Sequence, residues 1–204
     1  MERLDKTYSS ADNVIIVDQN SIPLKDALRQ ESVYATFLED VAPSLIEEAE
    51  AVWRPEALRL KKEALLRGVS EDDLPLQHDH WDWKAKKQKS ASGSRFFGLS
   101  YGGMMQGMMN LSPKQPCQLA EQFGKELVYI DYIEIAPWNL LHLAEIPQYR
   151  GIGSFFLEAA IQLSQETGTE GRIGLHSLEQ SEQFYYNCGM IDCGLQKIGY
   201  SLYN

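Results

Sequence analysis

The sequence predicts an α/β (α+β) fold, a mixed β-sheet with helices on its faces, and three stretches predict it. "LVYIDYIEIAP", residues 127–137, is a near-continuous apolar run rich in Ile, Val and Tyr. That is the pattern of a strand covered on both faces in the middle of a helix-flanked sheet. In "IPQYRGIGSFFLEAA", residues 146–160, and the turn beyond it, apolar side chains fall at Ile152, Phe155, Phe156, Ala159, Ala160 and Leu163. The spacing i, i+3, i+4, i+7, i+8, i+11 is that of a helix with one buried stripe. "SRFFGLSYGGMMQGMMNLSP" holds two strand-like runs parted by Gly102 and Gly103, which predicts a hairpin closed by a two-residue turn.

The remaining elements follow in chain order. "NVIIVD", residues 13–18, predicts a short first strand. Residues 24–68 turn to Ala, Leu, Glu, Lys and Arg at helical spacing and predict two helices. Pro43 suits a first helical turn, Gly68 a C-terminal stop, and Pro55 predicts a kink or division between them. Residues 71–93 are polar and aromatic and read as a loop. Gly168 stops the helix that begins at Ile152, and "RIGLHS" predicts another strand. Ser177 and Gln180 form a capping box that opens a short helix ending at Gly189, and "LQKIGYSLY" predicts a last strand. The order is β, α, α, β, β, β, α, β, α, β, without fixed-period repeats or low-complexity tracts. One domain over residues 1–204 is expected, with the first strand and helices in 1–70, the polar aromatic loop in 71–94 and the core in 95–204.

A chain of 204 residues with 44% apolar and 24% charged content can bury one substantial core. "MERLDKTYSS" lacks the apolar region of a secretory signal, and no segment approaches the roughly 18 uninterrupted apolar residues of a membrane helix. A soluble, cytoplasmic protein with no membrane partner is expected. Cys117, Cys188 and Cys193 are an odd set without C-x-x-C spacing, which argues against a disulfide framework or a zinc site. A net charge of −10 disfavours general nucleic-acid binding and favours the approach of a cationic substrate.

Gln148, Gly151 and Gly153 form Q-x-x-G-x-G running straight into a helix. A Rossmann fingerprint needs a third glycine where Phe156 stands, and a Walker A loop needs G-K-[ST], which is absent. Two glycines without Cβ atoms let a backbone approach a ligand, and the unpaired amides of a helix N-terminus attract an anion. A pyrophosphate is a natural occupant.

On "QYRGIG" and on "FYYNCGM", residues 184–190, the chain resembles the GNAT superfamily of acetyl-CoA-dependent N-acetyltransferases. The first motif matches the family's Q/R-x-x-G-x-G/A loop after a central strand; the second is similar to its aromatic-Tyr signature. The resemblance implies a GNAT-like (acyl-CoA N-acyltransferase) fold with a centrally splayed sheet, acetyl-CoA as cofactor, and direct transfer of acetyl to a primary amine on a small molecule, a charged tRNA or a protein. It implies that the amides of Tyr149, Arg150, Gly151, Ile152, Gly153 and Ser154 bind the pyrophosphate, with the side chains of Gln148 and Arg150 in support. The strand end Glu134, Ile135 and Ala136 would pair with pantetheine. Tyr185 would protonate the departing thiolate, with Tyr186 as fallback, and Glu134 would be the base that neutralises the amine.

Glu134 and Asp131, three positions apart, point to opposite faces of a regular strand, so only one can face the cleft. Glu134 ranks first and Asp131 is assigned to the acceptor site with His176; pairing of either carboxylate with a buried cation is the alternative. A noncatalytic acetyl-CoA-binding or protein-interaction member of the same fold is the alternative function. Oligomeric state stays open, a homodimer included. His78 and His80 in "HDHWDW" lack further metal ligands and read as a polar loop beside packed tryptophans. "KAKKQK", residues 84–89, reads as solvated surface, with the 3′-phosphate of CoA as a remoter partner. The methionines of "MMQGMM" belong to a strand that could wall an apolar acceptor site, with Gly107 at a bulge or close approach. Two departures from the family pattern stand out: the long connection "WNLLHLAEI", and Leu178, seven residues before Tyr185, where many members carry an Asn.

Overall fold

The structure is a computed structural model that describes residues 21–74, 82–90, 92–196 and 200–203. The strand expected over 13–18 lies outside the described residues, as do His78 and His80.

The first described elements correct the sequence reading. Where a helix is expected from residue 24, strands β1 (Ser21–Asp26) and β2 (Ser32–Glu39) pair antiparallel, from Ser21↔Thr36 to Lys25↔Ser32. Helix-forming composition loses here to a period-two pattern, with Val33 and Ala35 buried on one face, and to a turn chemistry. Asp26 accepts the N–H of Leu28 and of Arg29, each at 2.9 Å, and Gln30 sits at φ +59°. One continuous helix, α1 (Pro43–Leu66), then follows. Pro43 stands in its first turn and Gly68 at φ +89° just past its end, as expected. Pro55 does not divide it: the residue lies on the exposed face, where water can take the freed carbonyl.

The expected polar loop contains a helix, α2 (Trp83–Lys89), capped by Asp82, which accepts the N–H of Ala85 at 2.8 Å. Its basic run is engaged with the protein: Lys84 pairs with Glu47 at 2.8 Å, Lys86 lies 3.9 Å from the centre of the Tyr132 ring, and Lys87 donates to the carbonyl of Val41. The hairpin of β3 (Arg95–Tyr101) and β4 (Met104–Pro116) turns as expected, with Gly102 and Gly103 at φ +62° and +75°. There follow β5 (Glu126–Ile135), a 3₁₀ turn (Pro137–Asn139), β6 (Tyr149–Arg150), α3 (Ile152–Glu166), β7 (Ile173–Ser177), α4 (Glu182–Asn187), β8 (Asp192–Gln196) and β9 (Tyr200–Tyr203). The expected capping box does not form, because Ser177 is still strand and its hydroxyl donates to the carbonyl of Leu178 at 2.8 Å.

The sheet order is β6-β1-β2-β3-β4-β5-β7-β9-β8, and every pairing is antiparallel except β5 with β7. β5 pairs with β4 out to Ile135 but with β7 only over Val128, Tyr129 and Ile130. Beyond Ile130 the two strands part, and the sheet splays. α3 covers one face through Ile152, Phe156 and Ala160, packed on Leu99, Met109 and Ile130. The other face carries Phe96, Met108 and Ala136 under Ile46 and Trp53 of α1 and Trp83 of α2. Neighbours such as Met108 and Met109 thus serve opposite faces, as strand alternation requires. The four methionines divide accordingly: Met105, Met108 and Met109 are core, only Met104 is exposed, and none lines the splayed gap. Gly107 is the close approach expected of it, since a Cβ there would stand 2.7 Å from Phe156. Among the described residues no helix is long and apolar enough to cross a membrane.

Candidate active site

The glycine loop is built from both its flanks. β6 pairs with β1, Asp26↔Tyr149 and Lys25↔Arg150, and delivers the chain to Gly151, the N-cap of α3, at φ +97°. No side chain caps this helix, and its first bond runs from the N–H of Phe155 to the carbonyl of Gly151 at 2.9 Å. The N–H groups of Ile152, Gly153 and Ser154 therefore lie in the first turn, without intrahelical acceptors, at the positive end of a fifteen-residue dipole.

The cradle is shorter than the sequence suggests. The amide of Tyr149 already donates to Oδ1 of Asn139 at 2.9 Å, and that of Gln148 to the carbonyl of Trp138 at 3.0 Å. The side chain of Gln148 turns to the Tyr149 hydroxyl at 3.2 Å rather than toward a ligand. Gly153 has an internal reason to be glycine, because a Cβ there would come within 3.0 Å of Phe184. Gly151 has a conformational one, its left-handed φ. At the strand end, Ala136 is fully buried and its N–H goes to the carbonyl of Gln106 at 3.0 Å, so it is not free to pair with anything else.

In front of the loop lies a cavity of about 370 Å³ lined by Ile133 and Ile135 of β5, by Arg150 to Ser154, and by Phe184 and Tyr185 of α4. A second cavity, of about 330 Å³, occupies the gap where β5 and β7 part; Tyr129, Asp131, His176 and Leu178 line it. Ile133, Ser181 and Tyr185 belong to both walls. Burial pushes the Tyr185 phenol up to about 12, so it keeps its proton at neutral pH. Tyr186 points elsewhere, donating its hydroxyl to Asp192 at 3.2 Å. Cys188 is exposed, Cys193 half-buried, and neither lines either of these two cavities.

The two strand carboxylates have different surroundings. In the β4–β5 ladder Asn110 pairs with Tyr132 and Leu111 with Ile130, which leaves Asp131 at a bulge without an opposite residue. Its carboxylate accepts the Ser112 hydroxyl, and burial raises its pKa above the ordinary value while that bond opposes the rise. His176, exposed at the end of β7, shares a hydrogen bond between its Nδ1 and the Tyr129 hydroxyl. Glu134 lines neither cavity. Its carboxylate accepts the indole N–H of Trp83 under α2; burial pushes it up to about 7, against the opposing pull of that bond and of the Lys86 charge. Asp131 thus shares the lining of the second cavity with Tyr185, whereas Glu134 lines neither cavity and packs under α2.

Sequence reading missed Asn139 and His142, both on the wall of the first cavity. An Asn two positions after Pro137 reads as turn chemistry, and its role becomes visible only through the partner it meets. Burial lowers the pKa of His142 and keeps its imidazole neutral.

No protein-family model matches the chain, and no curated protein matches it by sequence. Solved structures do match. The GNAT domain of S. lividans PAT superposes with a TM-score of 0.53 at 9% identity, over 90% of this chain and 93% of that one. A predicted acetyltransferase from Clostridium acetobutylicum with acetyl-CoA gives 0.46 at 10% identity, over 78% and 90%. A transcriptional regulator from Bacillus halodurans gives 0.44 at 18%, over 80% and 94%. The first of these shows the fold: this chain has the GNAT fold, as the resemblance of its two motifs implies.

Proposed function

We propose that the protein is an N-acetyltransferase that transfers acetyl from acetyl-CoA directly to a primary amine. One observation carries the reading: Tyr185 stands in the wall shared by a cavity that opens on uncapped helix amides and a cavity that holds Asp131.

The residues present suit such a cofactor. The amides of Ile152, Gly153 and Ser154, with that of Gly151 beside them, offer donors to a diphosphate, and the exposed guanidinium of Arg150 adds charge. The edge of β5 that β7 leaves uncovered past Ile130 offers Ile133 and Ile135 to a pantetheine arm. Bound acetyl-CoA supplies an activated thioester. Asp131, its pKa raised, accepts a proton from the acceptor ammonium directly or through water, which frees the nitrogen lone pair for the carbonyl carbon. Tyr185 gives its phenolic proton to the sulfur as the carbon–sulfur bond breaks, and the proton released by the amine balances the one delivered. His176 and Tyr129 form the outer rim of the acceptor cavity. A single-domain chain acting without nucleic acid is part of the same proposal.

Calorimetric titration with acetyl-CoA, followed by an amine panel read by free thiol, tests it. Binding with amine-dependent thiol release is expected, and Tyr185→Phe should lower kcat by about 10²-fold or more. Binding without thiol release from any amine would instead mark a noncatalytic acetyl-CoA binder.

A further inference from the structure

Between the hairpin of β3 and β4 and the glycine loop runs a chain of buried amides. It starts at a bulge: Ser100 pairs with Met105 and Leu99 with Gly107, so Gln106 has no partner in the ladder and its side chain is re-aimed into the interior, where the residue is fully buried. Its Oε1 accepts the indole N–H of Trp138 at 2.8 Å and Nδ2 of Asn139 at 3.0 Å. Its Nε2 donates to the carbonyls of Tyr101 and Met104 at 3.2 and 3.3 Å. Asn139, also buried, then accepts the N–H of Tyr149 on its Oδ1.

The direction of every bond in this chain is forced. An indole can only donate, so the Gln106 oxygen must face Trp138, and its nitrogen must face the two carbonyls. Asn139 must then present its nitrogen to that same oxygen, which leaves only its own oxygen for Tyr149. Neither amide can flip without stranding buried donors. Tyr149 is gripped a second time through its ring, whose centre lies 5.2 Å from that of Tyr101 at 78°, and a third time by β1 through Asp26. Two residues on lies Gly151, where the uncapped helix begins.

We infer that Gln106 and Asn139 are positioning residues: their side chains fix Tyr149, and through it the place and direction of the amides that open α3. That these amides receive a diphosphate rests on the function proposed above; that the two side chains hold them does not. The long connection between Pro137 and Pro147 fits this role, since it carries Trp138 and Asn139 back to the hairpin before returning to the loop.

Amide hydrogen exchange of the full chain without ligand reads the positioning directly. In Asn139→Ala the Tyr149 amide should exchange about tenfold faster or more while Phe156 in α3 is unchanged, and Asn139→Asp, which keeps an oxygen for Tyr149, should recover part of the protection. The affinity for CoA should fall about tenfold in Asn139→Ala and the KM for acetyl-CoA rise equally, with kcat at saturation within about threefold of the wild type. Gln106→Met, which keeps the side-chain volume, should act in the same direction, and combined with Asn139→Ala should add little, as links in one chain do. A folded Asn139→Ala protein with wild-type exchange at Tyr149, or fully additive effects of the two variants, would overturn the inference. Wild-type protein that binds no CoA, with Tyr149 still deprotected in the variants, would instead sink the acetyl-transfer reading and leave the positioning standing.

Discussion

The indole N–H of Trp83 is donated to the carboxylate of Glu134, on the face of the sheet away from Tyr185. That bond makes Glu134 an anchor for α2. Glu134→Ala should therefore lower stability by about 1–3 kcal/mol, the cost of leaving the buried indole N–H without an acceptor. Glu134→Gln, which keeps an acceptor for the indole, should lose less. In both variants kcat at saturating substrates should stay near wild type. Chemical denaturation beside steady-state kinetics checks the split, and a large fall in kcat for a stable Glu134→Gln protein would return the base to Glu134.

Asp131 carries the opposite expectation. Asp131→Asn should keep the fold and lower kcat/KM about 10²-fold or more, as loss of a general base does. The sign of the pH dependence follows from its protonation. In the proposed mechanism the active form is the carboxylate, so activity should fall as pH drops through a pKa that burial has raised above the ordinary carboxyl range. Ser112 donates to that carboxylate and favours its charged form, so Ser112→Ala should move the acid limb of the profile to higher pH. An unchanged acid limb in Ser112→Ala would count against Asp131 as the titrating group.

The glycines of the loop divide into two kinds, and substitution should separate them. A Cβ on Gly151 meets nothing within 4 Å, so Gly151→Ala pays only for its left-handed φ of +97°, about 1–2 kcal/mol. Because the strain falls at the helix mouth, CoA affinity should drop with it. Gly153→Ala places a methyl 3.0 Å from Phe184, next to Tyr185, and should push α4 outward. Its effect should fall on kcat, about tenfold, more than on CoA binding. Equal effects of the two variants on binding and turnover would show that the loop moves as one piece.

What the sequence revealed and what it hid have physical causes. The strand through Ile130 to Ile135, the Gly102–Gly103 turn and the stripe of α3 announce themselves because each depends on residues near in sequence. The hairpin of β1 and β2 does not, since Leu24, Lys25, Ala27, Leu28 and Arg29 are helix formers and only the Asp26 turn and the pairing with β3 override them. Two bulges decide the site, at Gln106 and at Asp131, and a bulge is set by the register of the partner strand, which no local pattern encodes. The bulge at Asp131 breaks the alternation by which the sequence sets Asp131 and Glu134 on opposite sides, so their faces cannot be read from spacing alone. The amides of Tyr149 and Ala136 look free in sequence and are spent on Asn139 and Gln106, residues far along the chain.

Gly107 is where the sheet and α3 come closest, and it gives the sharpest test of the packing under the site. A Cβ there would lie 2.7 Å from Phe156 and 2.8 Å from Ile152, with the carbonyl of Glu134 at 3.3 Å on a third side. Phe156 is fully buried and Ile152 nearly so, and both belong to the helix whose first turn faces the cavity. Close-packed interiors have no slack to absorb such an overlap, so Gly107→Ala should cost about 1–3 kcal/mol. Relief by Phe156→Leu in the same chain should restore part of that loss, although Phe156→Leu alone destabilises, because the methyl fills part of the space the ring vacates. A thermodynamic cycle over the two substitutions reads the coupling, expected at about 1 kcal/mol and favourable. If the double variant is merely additive, α3 does not rest on Gly107 as closely as described, and the helix mouth has room to move.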